Sequence, residues 1–347
     1  MAYTTINKST DYFNTKIWTG TGANLSVTGV GHQPDFTWIK NRANTDDHNL
    51  FDVLRGFSTD SLLRSNTSGA ATDTTEGIKS FDSDGFSLGN NGSSNGNGQG
   101  MVSWNWKANG AGSSNTDGSI TSTVSANATS GFSIVSYTGN GSAGATVGHG
   151  LSQKPSIIIT KRRDSTSNWV VYSSQLGATK YINLEQAFGS QTATSRWNDT
   201  EPTSSVFSVG TSTSVNPSSG TMIAYCFAEK KGYSKFGSYT GNNLDDGTFC
   251  YTGMKPSFVM IKRTDSTSEW NIYDVKRNPF NLTNLELEAN TSDAEANVSE
   301  REIDILSNGF KLRGRSTFIN APGGSYIYMA FAENPFVTST GIPTTAR

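Results

Sequence analysis

Histidines, cysteines and closely spaced carboxylates are the residues of this 347-residue chain that could perform chemistry. His32, His48 and His149 do not share one repeated position, and no His or Cys pair has the spacing of a zinc site. Cys226 lies in an apolar segment typical of a buried strand, and with Cys250 alone it cannot build a disulfide framework. Nucleophilic catalysis needs a base held beside the nucleophile. We therefore expect no metal, no cofactor and no nucleophile–base pair.

Acidic residues are the second set that could act in catalysis. The segment Asp82-Ser83-Asp84-Gly85 resembles the start of a calcium loop but lacks the later oxygen ligands and the closing Glu. Carboxylate pairs that hydrolyse glycans meet only in three dimensions, so a glycan depolymerase stays open as a minor alternative. No acidic residue recurs at one position in all the internal repeats described below. The sequence thus predicts a protein that is not an enzyme.

Charge and apolar content exclude several classes of protein. The formal net charge of −2 is too balanced for general binding of phosphate backbones, so no nucleic-acid partner is expected. No apolar run approaches the 18 or more residues of a membrane helix, and we expect no membrane insertion. Only 34% of the residues are hydrophobic, but 11% are aromatic and occur in short runs between Gly, Asn and Ser. This pattern favours a folded all-β protein over disorder.

The elements that must position any site recur three times along the chain. Pro34, Pro155 and Pro256 each open an apolar strand-like segment that ends in a lysine. A phenylalanine follows each proline at 52, 52 and 54 residues, and a closing aromatic strand follows each phenylalanine at about 20 residues. An aromatic-Thr-Gly turn precedes each proline; the turns are Trp18-Thr19-Gly20, Tyr137-Thr138-Gly139 and Tyr239-Thr240-Gly241. Such self-similarity indicates repeated structural units.

The repeat predicts an all-β fold of three tandem antiparallel β-sandwich modules, jelly-roll-like and about 100 residues each. The predicted boundaries are 1–107 for the first module, 108–130 for a flexible Gly/Ser/Asn linker, 131–230 for the second module, 231–336 for the third and 337–347 for a C-terminal tail. The sequence of the acidic segment 284–297 is compatible with either a short helix or an irregular loop.

Alternation along the strands predicts which side chains face a core. The segment 258–261 is apolar at both parities, as expected of a central strand covered on both faces. In the following strand Trp169 and Trp270 fall on one face, and Tyr172 and Tyr273 fall on the other. We expect the tryptophans to face a core and the tyrosines to be half exposed.

Basic residues at the ends of the proline-led strands are the candidate binding site. They are Lys161, Arg162 and Arg163 in the second copy and Lys262 and Arg263 in the third, with Lys40 and Arg42 in the first. One interpretation is an exposed strand end whose charges prevent edge-to-edge pairing. The other is an interface or a contact with an anionic glycan, with Tyr172 and Tyr273 stacking on sugars. Both interpretations stay open from the residues.

Several segments together resemble a known class of phage protein. They are Tyr12-Phe13-Asn14-Thr15, Trp18-Thr19-Gly20, Gln33-Pro34-Asp35-Phe36-Thr37-Trp38, Trp104-Asn105-Trp106-Lys107-Ala108, Trp169-Val170-Val171-Tyr172 and Ala330-Phe331-Ala332-Glu333-Asn334-Pro335-Phe336. Nearly the whole chain resembles tandem-repeat virion structural proteins of marine bacteriophages, which are tail-fibre-like or decoration-like and have no established reaction. One departure is His48, which stands where the other copies have Trp169 and Trp270, and this suggests a different partner for the first module.

The resemblance implies a virion component made in the cytoplasm of a bacterial host. Its implied partners are other virion proteins and a host-surface glycan or receptor, and by analogy it implies a homo-oligomer, with a trimer as the expected state. Two functions follow as expectations. The first is a tail-fibre-type appendage that contributes to host attachment, and the alternative is a capsid decoration or cement protein that stabilises the particle. Binding to host cells separates the first from the second.

Overall fold

The structure, a computed structural model, describes residues 4–343 and is nearly all β, with 41% strand and 4% helix. The paired strands are antiparallel and form sandwich-type sheets, which confirms the predicted fold class. A 3-10 helix spans Ser9–Asp11, and the three α-helices of the described residues are one turn long. They are α1 (Gly92–Asn95), α2 (Thr194–Trp197) and α3 (Thr317–Asn320).

The first strand set comprises β1 (Phe13–Thr19), β2 (Leu25–Thr28), β3 (Phe36–Asn41), β4 (Asn49–Asp52), β5 (Leu63–Arg64), β6 (Ile78–Asp82), β7 (Gly85–Leu88) and β8 (Gly100–Trp106). The second set comprises β9 (Ser113–Asn115), β10 (Ser122–Asn127), β11 (Phe132–Thr138), β12 (Ala145–Gly148), β13 (Ile157–Arg162), β14 (Val170–Ser173), β15 (Lys180–Asn183), β16 (Gln191–Thr192), β17 (Val206–Val209) and β18 (Thr221–Phe227). The third set comprises β19 (Ser234–Thr240), β20 (Phe249–Tyr251), β21 (Lys255–Arg263), β22 (Trp270–Asp274), β23 (Leu285–Glu288), β24 (Ala296–Asn297), β25 (Ile303–Leu306), β26 (Gly309–Leu312) and β27 (Ser325–Asn334).

Each strand set contains a large sheet with the same central order. The order is β1-β8-β3-β4-β5 in the first set, β11-β18-β13-β14-β15 in the second and β19-β27-β21-β22-β23 in the third. A small sheet covers one face of each large sheet, namely β2-β7-β6, β12-β17 and β20-β26-β25. The proline-led strands β3, β13 and β21 therefore lie inside their sheets, and their residues are buried at both parities as expected.

A local apolar cluster lies between each large sheet and its small sheet. The opposite faces of the three large sheets, which no small sheet covers, meet in one central cluster. Aromatic rings from different sets touch directly there. Phe36 stacks on Tyr225 with ring centroids 4.3 Å apart, and Phe13 stacks on Phe331 at 4.8 Å. Phe227 meets Phe331 edge-on at 6.0 Å. The three sets consequently share a core, and the predicted boundaries at 107, 130 and 230 stay predictions.

Turns of the aromatic-Thr-Gly type are held by a buried asparagine near the end of each set. Asn95, Asn216 and Asn320 accept hydrogen bonds from backbone N–H groups of the turn and donate to carbonyls on both sides of it. The turn glycines are fixed by close packing, because a Cβ would lie 2.2 to 2.3 Å from a backbone oxygen; they are Gly20, Gly139 and Gly241. The repeated turn is thus a structural feature of the fold.

Two predicted segments differ in the structure. The segment 108–130, expected to be a flexible linker, contains β9 and β10, and β10 pairs with β11 along six residues to extend the second large sheet. The linker prediction is wrong because Val124 and its neighbours satisfy a strand edge that the composition alone does not reveal. The segment 284–297 forms strands β23 and β24 rather than a helix. Of the predicted tail at 337–347, residues 344–347 lie outside the described part of the chain.

Candidate functional site

The two tyrosines expected on a glycan-binding face are fully buried in the local clusters of their sets. The Tyr172 hydroxyl donates to Glu201, and the Tyr273 hydroxyl donates to the carbonyl of Arg301 at 2.8 Å. Burial raises the pKa of both phenols above the ordinary range. The prediction of half-exposed stacking rings is wrong, because the small sheets cover the face that the tyrosines occupy.

The repeated lysines are also buried, and each of them binds carbonyls of a neighbouring strand set. Lys161 Nζ donates to the Ser68 carbonyl of the first set at 2.9 Å, and Lys262 Nζ donates to the Ala187 carbonyl of the second set at 2.7 Å. Lys40 Nζ donates to the Ser292 carbonyl of the third set at 3.0 Å. Burial lowers the pKa to about 8 for Lys40 and Lys161 and to about 7 for Lys262.

These contacts follow one direction around the molecule, so the three sets close a head-to-tail ring. We call the contact of the first and second sets the first seam, that of the second and third sets the second seam, and that of the third and first sets the third seam. Trp169 Nε1 donates to the Arg64 carbonyl across the first seam, and Trp270 Nε1 donates to the Asn183 carbonyl across the second. The predicted lysine site is therefore a structural contact and neither an exposed strand end nor a glycan contact.

His48 occupies the same place at the third seam. It is fully buried and accepts a hydrogen bond of 2.8 Å from Trp38 Nε1. Its Nε2 faces the backbone of Glu288 but forms no hydrogen bond of regular geometry. In strand register, Glu288 corresponds to Arg64 and Asn183, whose carbonyls accept from the tryptophans at the other two seams. Burial lowers the pKa of His48 well below the usual value. The ring of His48 does not reach the surface, so it contacts no external molecule, and a different partner for the first module stays a prediction.

The predicted arginines lie nearer to the surface but are engaged within the chain. Arg162 pairs with Asp164 at 2.6 Å, and Arg263 pairs with Asp265 at 2.8 Å. Each of these pairs is an exposed local ion pair and contributes little free energy. Arg163 extends into the first seam, where burial lowers its pKa and where Arg55 and Asp52 are near. The structure thus does not bring the seven predicted binding residues together into one surface.

At the first and third seams, arginines fill the space between the sets. Arg163 occupies the first seam together with Arg55, which ion-pairs with Asp52 at 2.5 Å. At the third seam Arg42 binds both carboxylate oxygens of Glu295, at 2.6 and 3.0 Å, and Arg277 binds Glu295 as well. Charged side chains therefore close these two seams, and the ion pair of Arg42 with Glu295 joins the first and third sets.

The second seam departs from this pattern and is open. Thr264 stands at the position of Arg42 and Arg163, because the backbone N–H groups of all three make equivalent hydrogen bonds. Thr264 donates to the Ser325 carbonyl, Arg42 to that of Gly100 and Arg163 to that of Thr221. Ser173 occupies the strand position of Asp52 and Asp274. Arg55 and Arg277 follow those aspartates by three residues, and Leu176 follows Ser173 by the same distance. Because both arginines are replaced by smaller or apolar side chains, a groove of about 500 Å³ remains.

We call this space the second-seam groove. Its lining residues are Gln175, Leu176, Lys180, Ser190, Ser238, Tyr239, Thr240, Thr264, Asp265, Ser325, Tyr326 and Ile327. The walls come from the second and third sets and include residues of the paired strands β15, β19 and β27. A pocket of this size on paired strands is largely preformed, as small-molecule sites usually are.

The groove offers polar groups of both hydrogen-bonding kinds. The Ser238 hydroxyl donates to Gln175 Oε1 at 3.1 Å across the seam, and the Ser190 hydroxyl donates to the Thr264 carbonyl at 3.0 Å. Lys180 and Asp265 are exposed at its rim and have opposite charges. Hydrogen bonds from Arg263 are the largest cause of the lowered pKa of Asp265, so this carboxylate is charged at neutral pH. The groove is therefore polar with no net excess of either charge.

The sequence contained a signal for this groove that the prediction did not use. Aligning the strand ends gives Lys40-Asn41-Arg42, Lys161-Arg162-Arg163 and Lys262-Arg263-Thr264, and only the third copy lacks the final arginine. The missing arginine can be interpreted only when the three sets are known to form a ring, because the arginine of one set fills space beside the neighbouring set.

Comparison with known proteins places the chain in a family without an assigned function. Residues 8–335 match the model described as "Domain of unknown function (DUF7483)", and the chain belongs to this family. No curated protein and no solved structure matches the chain. In residues 4–343, no helix is long and apolar enough to cross a membrane. The same residues contain no group of three or more His, Cys, Asp or Glu side chains arranged to hold a metal ion.

Proposed function

We propose that this chain is a non-enzymatic structural protein on the surface of a bacteriophage particle, and that it contributes to attachment to the bacterial host. The resemblance of the repeated segments to virion structural proteins supports the particle as its location. The observation that supports a binding role is the second-seam groove, which leaves about 500 Å³ open between the second and third sets. The buried lysines and tyrosines form the rigid body that carries it.

A second candidate function is decoration or cementing of the particle, and a different observation favours it. The third strand set exposes five large apolar side chains, Leu244, Phe249, Tyr251, Phe280 and Leu282, at 52, 43, 60, 76 and 48%. Exposed large apolar residues favour contacts with other proteins. A cement protein would bury these side chains against neighbouring subunits.

The experiment that tests the proposal combines location with cell binding. Antibodies against the chain are applied to intact particles of the phage that encodes it, and the labelled chain is mixed with cells of the host of that phage. Attachment predicts antibody label on the particle surface together with saturable binding to cells. Particle label without cell binding favours the cement function, and absence of label from the particles contradicts both.

A further inference from the structure

The second-seam groove differs from the other seams in a way that defines a ligand. The first and third seams are closed by arginines, of which Arg42, Arg55 and Arg277 form ion pairs within the chain. The second seam replaces them with Thr264 and Leu176. A volume of about 500 Å³ lies within the range of small-molecule sites and exceeds what a single buried water occupies.

The groups that line the groove favour a neutral ligand with many hydroxyl groups. Gln175 and the hydroxyls of Ser238 and Ser325 can each both donate and accept, so they match groups that do the same. Lys180 and Asp265 place one charge of each sign at the rim, and Asp265 is already paired with Arg263 at 2.8 Å. An anionic ligand would meet one cation opposed by a carboxylate, and a cationic ligand would meet a carboxylate already neutralised.

We propose that the second-seam groove binds a short neutral saccharide. The partly exposed side chain of Leu176 provides apolar surface for the C–H face of a sugar, while the amide and hydroxyl groups bind its hydroxyls. Because the walls are paired strands, little conformational entropy is lost when the ligand binds. This inference rests on the proposed function, since it assigns a ligand class to the groove that supports the attachment role.

The test uses the full chain and a panel of neutral mono- and disaccharides, with glucuronic acid as an anionic comparison. Binding is followed by saturation-transfer NMR and titration calorimetry. We expect saturable binding of at least one neutral sugar and at least tenfold weaker binding of glucuronic acid. Failure of every neutral sugar to bind at millimolar concentration overturns the proposal, as does preferential binding of the acid.

Two variants locate the binding in the groove. Thr264→Arg restores the arginine of the other seams, and Ser238→Trp fills the groove from an exposed position on β19. Ser307→Arg adds the same charge as Thr264→Arg in an exposed turn of the third set and serves as the control. We expect the groove variants to weaken sugar binding at least tenfold and the control to leave it unchanged. Thermal melting checks that each variant folds. The two groove variants change different positions, the buried Thr264 and the exposed Ser238, so misfolding of one does not prevent the test with the other.

The outcomes separate this inference from the proposed function. Host-cell binding that neither groove variant reduces contradicts the saccharide site and leaves attachment standing. If both groove variants abolish sugar binding but antibodies against the chain do not label particles, the saccharide site is supported and the virion function is contradicted. Unchanged sugar binding in both folded groove variants places the sugar elsewhere and overturns the inference.

Discussion

Asp52 and Arg55 are both fully buried, and Tyr225 of the second set donates its hydroxyl to Asp52 at 2.7 Å across the first seam. The third seam has the same arrangement, in which Trp104 Nε1 donates to Asp274 at 3.1 Å. At the second seam the corresponding residues are Ser173 and Leu176 in one set and Met329 in the other. The buried ion pairs of the first and third seams thus each have a polar partner from the neighbouring set, whereas these positions of the second seam carry no charge. A set placed at the wrong seam would leave a buried charge without its third partner, and this disfavours incorrect assembly of the ring.

Replacing Asp52 with alanine tests this energetic role. Asp52→Ala leaves the Arg55 guanidinium buried without its carboxylate, and we expect the free energy of unfolding to fall by about 3 to 5 kcal/mol. Ser173→Ala at the equivalent strand position of the second set removes a hydroxyl only and should cost about 1 kcal/mol or less. Urea unfolding followed by tryptophan fluorescence measures both. Equal losses for the two variants would contradict a special role for the ion pair.

Glu185 provides a prediction about pH. Burial raises the pKa of its carboxyl to about 7, although the N–H of Trp169 and the charges of Lys161 and Arg196 act in the opposite direction. A carboxyl whose pKa is raised on folding stabilises the fold below its unfolded pKa and loses that contribution as the pH rises through about 7. We therefore expect the stability of the native chain relative to Glu185→Gln to decrease by about 1 to 2 kcal/mol between pH 4 and pH 8.

Glu201→Gln is the control with the opposite sign. Burial raises the pKa of Glu201, but hydrogen bonds from Lys154 and Tyr172 outweigh it and the net pKa is lowered. A lowered pKa gives a contribution that is present at neutral pH and is lost as the pH falls. Thermal melting across the pH series measures both differences. A flat difference curve for Glu185→Gln would contradict the assignment of a buried, protonated carboxyl.

At the scale of the elements, the strands that the repeat predicted are the strands that form the large sheets. The proline-led segments and closing aromatic strands recur within the chain, so their strand structure could be predicted from sequence, whereas their pairing register comes from the structure. The positions of Tyr172 and Tyr273 could not, because alternation tells which residues share a face but not whether a second sheet covers that face. The groove at Thr264 was missed for a related reason, since it forms between sets that no single repeat contains.

The strands β9 and β10 were missed because their composition is that of a linker. Thr, Ser and Asn dominate the segment, and Val124 is the one large apolar residue of β10. Its strand structure depends on pairing with β11, a tertiary interaction that outweighs weak local preference. The corresponding strands β1 and β19 have no such added strand in the described sheets. The segment therefore protects one sheet edge of the second set.

A pair of substitutions in β10 distinguishes a structural strand from a linker. Val124 is 5% exposed within the local cluster of the second set, whereas the neighbouring Thr123 points to solvent. We expect Val124→Asp to lower the free energy of unfolding by about 3 kcal/mol or more, because it buries a carboxylate among apolar side chains. Thr123→Asp should change it by about 0.5 kcal/mol. Urea denaturation measures both, and equal tolerance of the two changes would restore the linker interpretation.

At the scale of the whole molecule, the head-to-tail ring is completed inside one chain. Heterologous interfaces of this kind close a ring when the rotation between units permits it, as in a homotrimer. Here three strand sets supply the three units, and contacts of the third seam join residues about 250 positions apart, such as Arg42 and Glu295. The trimer implied by the resemblance stays a proposal, and the ring offers a way to obtain threefold contacts without a second copy of the chain.

The shared core predicts that the whole molecule unfolds as one cooperative unit, and truncation tests this. Without the first set, the chain 108–336 exposes the apolar faces that Phe36, Trp104 and Trp106 cover in the central cluster, and it leaves Tyr225 without Asp52. Since a domain of this kind buries its apolar surface only when all three sheets meet, we expect the full chain to unfold in a single calorimetric transition. The truncated chain should bind a hydrophobic dye and lack a cooperative transition. Independent modules predict the reverse, with separable transitions and a truncated chain that melts as it does in the intact protein.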